Sequence, residues 1–175
     1  MSTTTTAPFA IPLAKLQVQH LNKRLVAGIA IVANRQQQPE LRKLLLLRRA
    51  PTEDVYPEMY ELPGGGAEAE DETILATAAR ETREETGLGI SNILGAFGGF
   101  EYATRKSQAI QFNFLAEVEH GLEASVVLNP SEHDTYAWVG VADNMIMSKY
   151  PMPESMSKVV ADALNILRSP GIGDD

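Results

Sequence analysis

The sequence predicts an α/β domain in which helices cover a mixed β-sheet. Three observations carry this expectation. Candidate elements follow one another as strands, helix, strands, helix. The first helix is bracketed by a triple glycine before it and Gly87 after it. The last helix shows apolar residues at helical spacing.

Arg24 to Ala33 and Lys43 to Arg48 are apolar runs that read as neighbouring strands, parted by the polar, proline-containing break Gln36 to Glu40. Ala50 to Glu58 carries two prolines and three acids and reads as a loop. Leu62-Pro63-Gly64-Gly65-Gly66 reads as a tight turn without regular structure. A helix over Glu72 to Thr86 follows, with Leu75, Ala78, Ala79, Thr82 and Thr86 on its apolar side. Ile93 to Tyr102, Ala109 to Glu119 and Thr135 to Val141 read as strands, the second alternating Ile110, Phe112 and Phe114 with polar neighbours. Pro153 opens the final helix, whose buried face is Met156, Val159, Val160, Ala163, Leu164 and Leu167. Threonine-rich residues 1–19 are expected as a disordered tail, 20–168 as one domain and 169–175 as a flexible end.

The bulk properties narrow the function classes. The 175 residues suit one domain with a sizeable core. There is no cysteine, which excludes disulfides and thiolate metal sites and fits a reducing, cytoplasmic setting. A net charge of -8 disfavours nucleic acid as a partner, and an anionic substrate would need local neutralisation by basic side chains or a cation. No apolar run approaches the roughly 20 residues of a membrane span.

Chemistry concentrates around the first helix. Glu81, Glu84 and Glu85 fall within one arc of it, and like charges at these spacings repel. A solvated face, with Arg80 and Arg83 pairing the glutamates, is one explanation. Clustered oxygen ligands for a hard cation such as Mg²⁺ or Mn²⁺ are the other. The triple glycine in front favours the second, because it lets backbone amides approach phosphate oxygens.

Gly66, five residues, Glu72, seven residues, then Arg80-Glu81-Thr82-Arg83-Glu84-Glu85-Thr86-Gly87-Leu88 resembles the Nudix box, G-x5-E-x7-R-E-U-x-E-E-x-G-U, with U a bulky aliphatic. Eight of the nine defined positions match, Thr82 being the exception. The resemblance implies an α/β/α sandwich with a central mixed β-sheet and a metal-dependent hydrolase of pyrophosphate linkages. It implies that Glu81, Glu84 and Glu85 ligate Mg²⁺ or Mn²⁺, joined by a glycine carbonyl. Gly64, Gly65 and Gly66 are all open for that role, Gly65 being favoured. Arg80 and Glu72 would orient the carboxylates. The base would be Glu84, Glu85 or, from the later loop, Glu132, which is equally readable as an ordinary acidic loop residue. His133 reads as a loop or packing histidine rather than a ligand.

For the substrate, Arg48, Arg49 and Gly66 are candidate phosphate contacts. Tyr60, Phe112, Tyr136 and Trp138 are candidate stacking partners, with core packing as the competing role for each. Signatures of NADH, ADP-ribose and coenzyme A hydrolases do not stand out. Ser131 to Val139 resembles the corresponding stretch of diadenosine-polyphosphate and nucleoside-triphosphate hydrolases. The expected partner is therefore a small nucleotide, first a nucleoside triphosphate and second a dinucleoside polyphosphate, acting on a monomer or homodimer. A catalytically silent nucleotide-sensing module is the alternative from another class.

Overall fold

Lys23–Ala33 forms β1, a strand buried on both faces from Leu25 onward, as its unbroken aliphatic run requires. The computed structural model describes residues 3–33, 38–103, 107–118 and 125–169. β1 runs parallel to β6 (Gln108–Val118), and β6 pairs antiparallel with β5 (Ile90–Ala103), so the sheet is mixed. On the other side, β1 meets β2 (Lys43–Arg49) only at Val32↔Leu44 and Ala33↔Lys43. Beyond that point the sheet forks. The two-residue β3 (Tyr60–Glu61) continues along β2, while β4 (Gly64–Gly66) continues along β1. The far edge of β2 is covered along its length by β7 (His133–Gly140).

Helices close both faces. α2 (Ile74–Thr86) and α1 (Leu13–Gln19) cover one, on a core of Leu25, Ile29, Ile31, Leu45, Leu47, Ile74 and Phe114. The other holds α4 (Glu154–Arg168), preceded by the short α3 (Ile146–Lys149), on Leu44, Leu46, Leu115, Val139 and the buried face of α4. Each fully buried Leu or Ile contributes about 1.5–3 kcal/mol, so the two layers hold the helices against the sheet. The result is the expected α/β/α sandwich.

Four elements differ from expectation. Residues 3–19 are no loose tail: Thr4 and Ala96 exchange backbone hydrogen bonds of 2.8 and 2.9 Å, and Phe9 packs on Phe112 and Phe114. Leu16 is buried in the same layer. Polar composition hid a set of apolar residues spaced to cap the open half of the sheet. The triple glycine is a strand rather than a turn. Without side chains its backbone lies flat on β1, and at Gly64 (φ 154°) a Cβ would strike the Ala27 carbonyl. The helix starts at Ile74, after Thr73 whose side chain caps the Ala76 N–H at 3.1 Å. Its buried stripe accordingly runs through Ile74, Ala78 and Thr82, leaving Ala79 exposed. Finally, the polar neighbours on β6, Gln111 and Asn113, are buried as well. The expected flexible end lies mostly outside the described residues; Ser169 itself accepts a hydrogen bond from Arg42.

Thr82 is fully buried, and its hydroxyl has no hydrogen-bond partner among the described residues. Replacing it with the isosteric valine removes that uncompensated polar atom. Thr82→Val should stabilise the fold by about 1 kcal/mol, or ~2–4 °C in Tm. A calorimetric scan that shows no rise would mean the hydroxyl is hydrated.

Candidate active site

β4 is where helix and sheet come into contact. The Gly64 N–H donates to the Glu85 carboxylate at 2.8 Å, and a Cβ on Gly65 would collide with the carboxylate of Glu81. Two helix side chains thus rest against this strand, and at Gly65 the contact is one that only glycine allows. Ladder bonds run from Ile29 to Pro63 and from Ala67 to Leu25. Their alternation makes Ala27 and Gly65 the hydrogen-bonded pair between them, so the Gly65 carbonyl turns into the ladder. The Gly66 carbonyl accepts from Arg80 at 2.9 Å. Gly64, whose N–H meets Glu85, and Gly65, which faces the Glu81 carboxylate, are the two glycines in contact with the helix carboxylates.

Arg80 organises this end of α2. It reaches Asp71 through two nitrogens (3.1 and 3.0 Å), Glu81 at 3.0 Å and Glu84 at 2.9 Å, besides the Gly66 carbonyl. Burial pulls the Asp71 carboxyl upward, but Arg80, the Glu68 N–H and the Thr77 hydroxyl outweigh it and hold it below its ordinary range. The same contacts keep the guanidinium permanently charged. Glu72 does not share this task. It precedes the helix by two residues, is exposed, and its carboxylate makes no hydrogen bond among the described residues; Asp71 occupies the place expected for it.

The carboxylates themselves differ sharply in environment. Glu85 is 5% exposed, and burial pushes its pKa well up despite the Gly64 N–H, with Glu61, Glu81 and Glu132 adding repulsion. Burial also raises Glu81, against the pull of Arg80. Glu84 is half exposed. Glu132 reaches the group from the loop before β7. That loop is tied to the end of α2 by Val127 N–H to Thr86 and Asn129 N–H to Glu85, and to the end of β2 by Ala50 N–H to Glu132. One oxygen each of Glu85 and Glu132 and one ring nitrogen of His133 lie within 4.8 Å of one another. The residues suit a hard divalent cation: several ionisable oxygens converge, and Glu85 has no basic side chain bonded to it among the described residues.

On the α4 face, the fork opens into a cleft of two joined lobes. The inner lobe, about 250 Å³, is lined by Arg24, Gly28, Arg49, Glu61, Gly64 and Gln111 among others. The outer lobe, about 650 Å³, adds Tyr56 and Phe100; the lobes share Glu61, Tyr102, Gln111 and Met156. Gly28 leaves room for the buried amides of Gln111 and Asn113, which are hydrogen bonded to each other at 2.8 Å.

Several substrate contacts named from sequence are otherwise engaged. Arg48 makes a two-nitrogen pair with Asp134 (2.8 and 2.7 Å), and Arg49 binds Glu61, Glu53 and the Val55 carbonyl. Tyr60 packs edge-on against Tyr150, Tyr136 stands on β7 opposite Leu47, and Phe112 and Trp138 belong to the core on the α2 side. Gly66 does border the cleft, beneath the Arg24 guanidinium. Sequence inspection missed Arg24, which makes no ion pair among the described residues, and the aromatic trio Tyr56, Phe100 and Tyr102. Tyr56 sits in a proline-rich loop and Arg24 at a strand end, so neither position carried a local signal.

Solved structures share this fold. A MutT Nudix hydrolase from Burkholderia pseudomallei superposes with a TM-score of 0.62 at 17% identity, covering 81% of this chain and 98% of its own. The Nudix domain of Shewanella oneidensis NrtR, complexed with ADP ribose, gives 0.64 at 15% identity, with 87% and 97% covered. An Ap4A hydrolase from C. elegans gives 0.56 at 20% identity, with 82% and 93% covered. No match was found among curated proteins. The family model described as the NUDIX domain matches residues 22–163, and the chain belongs to that family of hydrolases acting on pyrophosphate bonds. Nudix enzymes generally use divalent metal ions.

The raised pKa of Glu85 has a definite sign. A folded-state pKa above the ordinary value near 4.5 means the native state holds its proton longer than the unfolded chain. Its share of stability is intact below that ordinary value and is lost as pH rises through the folded pKa. Metal-free protein should therefore show a Tm that falls with rising pH in this window. Glu85→Gln should flatten the slope and melt higher than wild type at neutral pH. Added Mg²⁺ should stabilise wild type increasingly as pH rises, since cation and proton compete. An unchanged slope in the variant would place the titration elsewhere.

Proposed function

We propose that the chain is a metal-dependent pyrophosphohydrolase whose substrate is a nucleoside triphosphate. The observation that carries this is the cleft: an aromatic lobe, Arg24 with no ion pair among the described residues, and, at its inner end, the glycine strand on which the Glu81 and Glu85 carboxylates rest. Its outer volume of about 650 Å³ suits a single nucleoside. Phe100 and Tyr102, with ring centroids 5.4 Å apart, and Tyr56 offer π-faces for one base. Arg24 supplies the positive charge toward the phosphates that Arg48 and Arg49, each already ion-paired, do not.

Glu81, Glu84, Glu85 and Glu132, with a glycine carbonyl of β4, would hold Mg²⁺ or Mn²⁺. When bound, such an ion offsets phosphate charge and lowers the pKa of water. Arg80 orients Glu81 and Glu84 while remaining away from the cleft, and Asp71 fixes Arg80. Glu84 would take the proton from the attacking water; its exposure, the greatest of the helix carboxylates, supports this reading. A dinucleoside polyphosphate would need a second nucleoside site beside the single aromatic lobe described. A purely sensing module would not need the full set of glutamates.

Released phosphate and pyrophosphate, measured over nucleoside triphosphates and dinucleoside polyphosphates with Mg²⁺ and with EDTA, tests the proposal directly. Metal-dependent turnover should be highest on a triphosphate. Preference for the dinucleotides would overturn the substrate assignment, and silence across the panel would leave a sensing role. Glu84→Gln and Glu85→Gln should retain the fold and lose activity on the order of 10²–10³-fold. Arg24→Ala should lower kcat/KM by roughly 10–100-fold, chiefly through KM, as expected for a charged hydrogen bond of about 1.5–3 kcal/mol.

A further inference from the structure

His133 opens β7 at the bulge where β2 and β7 shift register, which sets it beside Arg49. It is 2% exposed. Its Nε2 lies 3.1 Å from Glu61 Oε1, an oxygen that also accepts from Arg49 at 2.8 Å. A carboxylate paired with a guanidinium is ionised and can only accept, so Nε2 carries the proton and Nδ1 a lone pair. Nδ1 is buried and has no hydrogen-bond partner among the described residues. A histidine serving only to pack the core would leave that lone pair stranded, an uncommon state for a buried polar atom.

The neighbouring carboxylates give it a purpose. A ring nitrogen of His133 and one oxygen each of Glu85 and Glu132 all lie within 4.8 Å of one another. Donors facing each other across an ion with bonds of roughly 2.1 Å stand about 4.2 Å apart, so a small side-chain adjustment closes the set. Ligating histidines characteristically donate their other N–H to a carboxylate, which selects the tautomer and aims the ring. Glu61, itself held by Arg49, is in that position here.

We propose that His133 is a cation ligand: its Nδ1, with Glu85 and Glu132, forms a mixed nitrogen–oxygen site that takes Mn²⁺ in preference to Mg²⁺. Imidazole suits first-row transition ions, whereas Mg²⁺ strongly favours an all-oxygen shell. Glu61 and Arg49 are positioning residues for this ring. The inference rests on the metal-dependent function proposed above and adds a ligand that the glutamate-rich motif does not contain.

The test uses the intact protein with Mn²⁺ as the probe. Electron spin echo envelope modulation of bound Mn²⁺ should show a directly coordinated ¹⁴N in wild type and lose it in His133→Gln. Titration should show Mn²⁺ affinity falling ~10–100-fold in that variant, with Mg²⁺ affinity nearly unchanged. Mn²⁺ bound to wild type without nitrogen modulation overturns the histidine ligand while leaving the oxygen site standing. Failure of wild type to bind either cation overturns both this inference and the function beneath it. The wild-type spectrum decides the matter even if the variant folds poorly.

Discussion

The structure depends on a strand with no side chains. β4 can lie on β1 and still receive the Glu85 and Glu81 carboxylates because Gly64, Gly65 and Gly66 leave nothing between backbone and helix. A Cβ on Gly64 would strike β1, one on Gly66 would strike Arg24, and one on Gly65 would drive out the Glu81 carboxylate. The Gly64 N–H is also the one hydrogen-bond donor to the most buried of these carboxylates among the described residues. Helix position, loop conformation and carboxylate placement are therefore one constraint seen from three sides.

That constraint creates an electrostatic problem, and the chain answers only part of it. Arg80 offsets Asp71, Glu81 and Glu84 from the outer side of the helix. On the inner side Glu85, Glu132 and Glu61 face one another with Arg49 as the neighbouring cation, and Arg49 bonds Glu61 rather than the other two. Burial makes the ionised form of Glu85 costlier there than in water. A bound divalent ion relieves this repulsion more completely than any side chain could, because one small charge can touch several oxygens at once.

The fork in the sheet decides how a ligand meets that charge. β1 and β2 part after two register pairs, and the segment from Tyr60 to Gly66 repairs both edges with two short strands. The cleft on the α4 side, with its aromatics and Arg24, ends at the glycine strand on which the α2 carboxylates rest from the other side. A closed sheet of the same residues would have separated anion, cation and aromatic surface into different faces.

The sequence by itself determined the local features. The spacing of Glu81, Glu84 and Glu85, the stop at Gly87, the aliphatic runs of β1 and β2 and the face of α4 are all short-range patterns, set by the 3.6-residue and two-residue periods. Only the tertiary structure decided the rest. Glycines expected in a turn became a strand because β1 was there to pair with them. Asp71 replaced Glu72 because the cap at Thr73 delayed the helix. His133, read as a packing residue, met Glu61 and Glu85 across 72 and 48 positions of chain. Contacts of that range leave no trace in local composition, since they are made by the folded sheet and not by neighbouring residues.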